Sequence, residues 1–575
     1  MPIFNTDIAD IFDEIADYLE IAGDNPFKIR AYRNASRTIR GLGVELQDMA
    51  ASKDDFTTLQ GIGKELAAKI SEILETGSTR ALQKLKARIP GDVRQLLKLP
   101  NLGPKRVGML YHDLDIRNLD QLRAAAEEGR IQTLQGFGSK TEKQILQALE
   151  ARAEKEKRYK LDAVKPVVDS LQEYLKSIAG VNQVVVAGSF RRSRETVGDL
   201  DILVTAAKNS PVMDRFVEFD GVDRVLSSGS TRASVTLRSG LQVDLRLVDP
   251  QSFGAALQYF TGSQAHNIAV RHLGRQKGLK INEYGVFKFE KRVAGKTESS
   301  LYEAVNLSLI PPELRENRGE IEASREGLLP ALVELKDIKG DLHVHTGASD
   351  GRFSLPEMVA AAKNRGLKYI AIAEHSKLLA FAGGLDASRL LEQIDEIDRL
   401  NEESKGLTIL KSIEVDILKD GSLDLPDNLL SRLDLVVASV HSHFGLPRQE
   451  QTERILRAMD QPYFSILAHP SGRLINEREP LMLDMEKIIT KAAERGCFLE
   501  LNASPKRLDL TDVYCQIARD LGVLIAINTD AHRTSDFDNL SFGVGQARRG
   551  WLGKKDVLNT RTLGKLRKLL KQTMG

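Results

Sequence analysis

Between residues 341 and 532, six short apolar runs each carry or end in a histidine or an acid, and that alternation leaves few folds open. The runs are Asp341-Leu342-His343-Val344-His345, Ile370-Ala371-Ile372-Ala373-Glu374-His375, Ser412-Ile413-Glu414-Val415-Asp416, Val440-His441-Ser442-His443 with the apolar residues before it, Ile466-Leu467-Ala468-His469-Pro470, and Asn528-Thr529-Asp530-Ala531-His532 after Ile525-Ala526-Ile527. Helical patterns at 355–365 and 390–401 separate some of them. Alternating strands and helices with functional residues at strand ends predict an α/β barrel whose site lies on one face. A His-x-His step on a strand sends both imidazoles to one side, a natural metal clamp. One histidine after a strand is usually a polar residue at a loop mouth, but seven of the chain's ten histidines fall in this stretch. Histidines mixed with carboxylates, without cysteine, suit Mn²⁺, Zn²⁺ or Fe better than a structural zinc site.

A second constellation lies upstream. Val184-Val185-Val186 reads as a buried strand, Gly188-Ser189 as a turn, and Asp199-Leu200-Asp201-Ile202-Leu203-Val204 as the next strand. Asp199 and Asp201 then share a face, with Leu200 directed into the core. Paired carboxylates repel unless a cation joins them, and hard oxygen ligands favour Mg²⁺ or Mn²⁺. The glycine turn offers N–H groups to an anion, and Arg191 and Arg192 add positive charge suited to phosphate. Val243-Asp244-Leu245-Arg246-Leu247 is a further alternating strand whose acid, Asp244, can join the pair. Taken alone, an Asp-x-Asp is a common solvated motif; the third acid turns it into a metal centre for nucleotidyl transfer.

The first 150 residues read as almost wholly helical. Ile8, Ile11, Phe12, Ile15 and Leu19 make a core stripe. Three related segments recur, around Gly61-Ile62-Gly63-Lys64, Asn101-Leu102-Gly103-Pro104-Lys105 and Gly136-Phe137-Gly138, each ahead of a helical pattern. Such turns allow backbone N–H groups to approach an anion at a helix start. A single one would be an ordinary cap; three favour phosphate binding that positions a duplex without reading its sequence. The second copy lacks the first glycine, which weakens it.

G-S-x-R-R-x-x-E-x-x-G-D-x-D followed by V-D-L-R resembles the palm of family X DNA polymerases, and the glycine segments resemble helix-hairpin-helix motifs. The resemblance implies that Asp199, Asp201 and Asp244 hold two Mg²⁺ or Mn²⁺ ions, with Gly188, Ser189, Arg192 and Gly198 orienting a triphosphate. Phe253–Ser263 and the residues after it resemble the family's thumb, with Tyr259, Phe260 and Gly262 against the sugar of an incoming dNTP. Asn267 would meet the base and Arg271 the template. Lys69 matches the Schiff-base lysine of family X lyase domains, and Lys28 and Tyr32 their 5′-phosphate residues. With Gly61, Gly63, Lys64, Gly103, Lys105, Gly136 and Gly138 these would make the DNA-binding surface. The histidine-rich part resembles the PHP phosphoesterase domain. That likeness implies ligands His343, His345, Asp350, His375, Glu414, His441, His469, Asp530 and His532 for two to three Mn²⁺ or Zn²⁺ ions, with His443 a competitor of His441.

The expected fold is therefore multidomain. A helical lyase-like domain (1–88) and a helical fingers-like region (89–150), both with helix-hairpin-helix motifs, precede an α+β nucleotidyltransferase palm (151–248) and a thumb (249–315). A linker (316–340) leads to an α/β, distorted-barrel PHP domain (341–575). Pro311-Pro312 and the charges after them read as a tether and hinge within 311–340. This arrangement resembles that of bacterial and archaeal family X polymerases. It implies template-directed gap filling in DNA repair, including base excision repair, with a Mn²⁺-dependent 3′-5′ exonuclease, 3′-phosphatase or abasic-site endonuclease. Gapped or nicked DNA and dNTPs are the expected partners, and a monomer the expected state. Two rivals are a PHP domain acting on a non-DNA phosphate ester or pyrophosphate, and a DNA-end scaffold with weak catalysis. A net charge of +2 over 575 residues excludes a globally basic chain, so any DNA-binding surface must be local. Cys497 and Cys515 make neither a zinc pattern nor a disulfide framework. Without a leader-like start or a transmembrane-length run, a cytoplasmic setting with no membrane partner is expected.

Overall fold

The computed structural model describes residues 5–42, 45–52, 54–100, 102–403 and 405–574, without the side chains of Thr6, Asp48, Ala51, Gly91 and 150–156. The chain divides into two compact units, 1–157 and 158–575. Among the described residues, no helix is long and apolar enough to cross a membrane.

The first unit is helical. Ile8, Phe12, Ile15 and Leu19 on helix Asn5–Ile21 are buried, as the stripe predicts. A repeated device follows. The 3-10 turns Phe56–Thr58, Leu96–Lys98 and Ile131–Thr133 each run through a glycine-containing bend into a helix: Lys64–Thr76, Pro104–Leu114 and Ser139–Glu156. In each bend the central apolar residue (Ile62, Leu102 or Phe137) is buried, and its N–H donates to the carbonyl three residues back, that of Leu59, Leu99 or Leu134. Asn101, expected to weaken the second copy, lies outside the described residues, as does the extreme N-terminus.

The second unit opens with a mixed five-stranded sheet. Its order is Val181–Val186, Asp199–Ala206, Gln242–Leu247, Arg232–Leu237, Val222–Ser228; only the pair Asp199–Ala206 and Gln242–Leu247 is parallel. Helix Leu161–Ser177 buries Val164, Val168, Leu171 and Leu175. Farther along, Gly340–Val344, Tyr369–Ile372 and Thr408–Lys411 form one parallel sheet, and Glu414–Asp416, Val437–Ser439, Ile466–Leu467, Phe498–Asn502 and Ile525–Asn528 another. Parallel bridges join His375 to Glu414 and Val344 to Ala531, linking the two sheets. All but Thr408–Lys411, which is half-buried at its ends, are buried along their length, as parallel strands covered by helices require.

The stretch 311–340 is not a tether. It contains the turn Pro312–Leu314 and helix Glu320–Glu326, and Leu314, Arg315, Glu320 and Ile321 are buried. Arg315 donates to Glu298 (2.6 Å) and to the Ile310 carbonyl (2.9 Å), and Glu320 lies 2.6 Å from Nδ1 of His266. Charges that look like a solvated linker in sequence are interior ion pairs, because their partners come from distant elements. The basic C-terminal stretch packs: helix Leu563–Leu570 buries Leu566 and Leu570, and Trp551 is also buried.

Candidate active sites

The palm carboxylates stand on the one parallel strand pair of their sheet. Asp201 is directly paired with Asp244, and Asp199 with Gln242, so the acids of two strands meet side by side. Asp244 is buried and accepts from Gln242 Nε2 (3.1 Å) and Arg232 Nη2 (3.3 Å). Burial, then the charges of Asp199 and Asp244, push Asp201 up to about 7. Gly188 has φ +64°, and a Cβ there would stand 3.2 Å from Asp201 Oδ2, so the turn lies directly against the acid. Arg191 makes a two-pronged pair with Glu298 (2.7 and 2.9 Å). Arg192 is similarly engaged, with Glu316 (3.1 Å) and the Thr261 carbonyl.

The Tyr259 and Phe260 rings meet edge-on at 5.1 Å, and Arg246 covers Phe260 at 4.2 Å. Gly262 has φ +71° and a Cβ there would come within 3.0 Å of Arg192 Nη1. The Asn267 amide donates to the Tyr259 carbonyl (2.7 Å) and accepts from Gln258 (2.8 Å), and Arg271 donates to the Asn267 carbonyl (3.3 Å). Asn267 is thus partly engaged within the thumb, with one amide N–H and one lone pair of its oxygen taken.

The histidines converge as expected from their strand-end positions. Three overlapping groups have ligand atoms within 4.8 Å of one another: His345, Asp350, His375 and His532; His343, His345 and Asp530; and His375, Glu414 and His441. His469 joins through Glu414, 2.9 Å away. His443 is exposed and in none of these groups, so His441 is the one brought in. Burial and the charge of His532 lower His345 to about 3. Burial also works against His375, but Glu414 and Asp350 together raise it to about 10. Glu414 is held well below the carboxylate range by His375, His441 and His343, against its own burial. His343 Nε2, both His345 ring nitrogens, His375 Nδ1 and Glu414 Oε2 are buried with no hydrogen-bond partner. Such atoms are costly unless a cation satisfies them, and the donor set fits a divalent metal.

Supporting carboxylates were not singled out by the sequence. Glu500, fully buried in Phe498–Asn502, lies 2.8 Å from His343 Nδ1 and accepts from the His469 N–H at 2.8 Å. Asp416 lies 3.3 Å from His441 Nδ1. Glu500 fixes the His343 ring, whose other nitrogen faces the group, while His441 Nδ1 is held by Ser439 Oγ (3.2 Å) and the Asp416 oxygens have no hydrogen-bond partner. The signal for Glu500 was a lone acid inside an apolar run, in a strand outside the six.

In the first unit, Gly61 and Gly136 have φ +79° and +83°, whereas Gly63, Gly103 and Gly138 need no such conformation. A Cβ at Gly63, Gly103 or Gly138 would meet nothing within 4 Å. Lys64 and Lys105 are exposed beside them. Lys69 bonds Glu65 (2.6 Å) and lies 5.8 Å from the Tyr32 ring; burial lowers its pKa, but Glu65 and Tyr32 outweigh that and raise it. An attacking amine needs the opposite shift. Tyr32 is only 2% exposed, with its ring edge-on to Phe12, while Lys28 pairs with Asp24 (3.7 Å). Tyr32 is a core residue, and the three do not make an open phosphate site.

Fold and sites define a metal-dependent nucleotidyltransferase joined to a metal-dependent phosphoesterase. Residues 3–79 match a helix-hairpin-helix domain, 93–151 a SAM-like helix-hairpin-helix tandem, 161–237 the DNA polymerase beta palm, 256–316 the DNA polymerase beta thumb and 341–504 the PHP domain. The DNA polymerase/3′-5′ exonuclease PolX of Bacillus subtilis (strain 168) is 39% identical over 570 residues, covering 98% of this chain and 99% of its own. The chain belongs to the family X DNA polymerases that carry a PHP domain. Part of the chain also resembles probable phosphatases of Thermoanaerobacter sp. (strain X514), 30% identical over 40% of this chain and 94% of that one, and of Acetivibrio thermocellus, 33% identical over 36% and 81%.

Proposed function

We propose that the chain is a template-directed, gap-filling DNA polymerase of DNA repair, with a 3′-5′ exonuclease in its PHP domain. The single observation that carries the polymerase reading is the register pairing of Asp201 with Asp244 beside Asp199 and the Gly188 turn. These acids would hold Mg²⁺ or Mn²⁺, with Ser189, Gly198 and the thumb face of Tyr259 and Phe260 cradling the dNTP. Arg192, engaged by Glu316 and the Thr261 carbonyl, would offer the triphosphate its remaining guanidinium N–H groups. The histidine groups would hold two to three Mn²⁺ or Zn²⁺ ions. When bound, such ions activate a hydroxyl or water and neutralise charge on phosphate oxygens. The chain's own groups orient the ligands: Glu500 on His343 and Ser439 on His441. The open glycines of the hairpins support contact with gapped or nicked DNA by a monomer in the cytoplasm. We read the eight linked parallel strand segments as a distorted barrel, which the two bridges support. A lyase step at Lys69 would first need its amine released from Glu65.

The test uses a 5′-labelled primer in a gapped duplex with Mn²⁺ and dNTPs. D199A/D201A abolishes extension and keeps shortening; H343A/H345A does the reverse. Shortening that survives the histidine changes rules out this nuclease assignment. The probable-phosphatase relatives favour a second reading for the PHP site, hydrolysis of terminal or small phosphate esters. Turnover of a nitrophenyl phosphate without cleavage of labelled DNA would select it.

A further inference from the structure

One arginine stands among the histidine-site ligands without a role in holding them. Arg507 Nε is 3.8 Å from Asp530 Oδ2, beyond hydrogen-bond reach, and its Nη1 is buried with no partner. That Asp530 oxygen is taken instead by Asn502 Nδ2 (3.1 Å), and the buried Asp509 nearby accepts from the N–H groups of Ser471 and Gly472. Arg478 is close by and is likewise not neutralised: its guanidinium bonds the Gly472 carbonyl and lies 4.4 Å over the Phe444 ring. Burial and then the charge of Arg507 lower both His469 and Arg478, so Arg507 is electrically near each.

Arg507 is partly buried, with Asp530 as its nearest carboxylate at 3.8 Å and its Nη1 unpartnered; a guanidinium held this way is under-satisfied, and beside a metal group it also opposes loading of the metals. Both costs disappear when an anion lies between the guanidinium and the ions. A phosphate oxygen suits this place, because a guanidinium donates in a fork matched to phosphate. We propose that Arg507 binds the phosphate group on which the histidine-rich site acts, its Nη1–H donating to a non-bridging oxygen. The inference rests on the phosphoesterase reading of that site.

The experiment uses the full chain loaded with Mn²⁺ and inorganic phosphate as the probe. Phosphate affinity is measured by calorimetry and bound Mn²⁺ by elemental analysis, for wild type, R507A and R507K. R507A is expected to weaken phosphate binding by about tenfold or more, the value of a lost charge-assisted hydrogen bond. Its Mn²⁺ content and primer extension stay at wild-type level, and R507K recovers part of the loss. Phosphate binding in R507A equal to wild type overturns the proposal. So does joint loss of Mn²⁺ and phosphate, which would make Arg507 a support for the ligands. A wild type that binds phosphate but hydrolyses neither DNA nor nitrophenyl phosphate sinks the phosphoesterase reading alone.

Discussion

Asp201 shows how one side chain's surroundings set its chemistry. Burial and two neighbouring carboxylates raise it to about 7, so below that pH it holds a proton that a divalent ion must displace. Activation of primer extension by Mg²⁺ should therefore need less metal at pH 8 than at pH 6, read as the half-saturating concentration. Asp201→Ala should cut incorporation by about a thousandfold, the order of several kcal/mol of charge stabilisation. In the histidine site, Glu500 acts through the His343 ring and the His469 N–H. Glu500→Gln should weaken Mn²⁺ binding about 10- to 100-fold, the usual effect of losing a ligand's carboxylate partner, with primer extension unchanged.

At the scale of the element, the hairpins separate two uses of glycine. Gly61 and Gly136 serve the fold, since their positive φ penalises any side chain. Gly61→Val or Gly136→Val should cost the helical unit on the order of 1–2 kcal/mol in a denaturant melt. Gly63 and Gly138 face open space and adopt ordinary backbone angles, so the fold does not require them to lack a side chain, and under the proposed function that space admits a DNA backbone. Gly63→Ala with Gly138→Ala should leave stability within about 0.5 kcal/mol yet weaken binding to duplexes of any sequence. Unchanged DNA affinity would remove the hairpins from the interface. These motifs were legible because a hairpin is encoded within a few consecutive residues. The burial of Tyr32 against Phe12 was not, because its partner comes from another helix.

Across the second unit, the palm turn at 188–195 is tied to the histidine-rich part by buried charges. Arg549, 1% exposed, donates to Glu316 (2.8 Å), Asp512 (2.7 Å) and the Arg192 carbonyl (2.9 Å), while Arg473 grips Glu195 (2.9 and 3.0 Å). Gly545 packs against Ser193 closely enough that a Cβ would lie 2.9 Å from it. Arg549→Ala leaves two acids buried without their partner and should destabilise the unit by about 3 kcal/mol, followed through the single tryptophan, Trp551. Glu316 and Asp512 are both held below their usual range, against burial, by Arg549 with Arg192 and Arg318 respectively. Depressed carboxylates contribute stability above the unfolded-state pKa of about 4 and lose it as pH falls through their lowered values. Denaturant midpoints should hold at neutral pH and drop in acid, and Glu316→Gln should flatten that drop. A linker free to hinge is not compatible with this network.

The sequence by itself determined whatever is local in the chain: the three hairpins, the period-two placement of Asp199 and Asp201, and the histidines at strand ends. Backbone periodicity and turn chemistry act over a few residues, so residue order is enough to read them. Tertiary structure alone decided which groups are neutralised by others. It brought Glu500 to His343, turned 311–340 from a tether into a packed core, and left Arg507 Nη1 without a partner. Those outcomes depend on side chains tens to hundreds of residues apart meeting in a medium of low polarity, where each charge must find a partner.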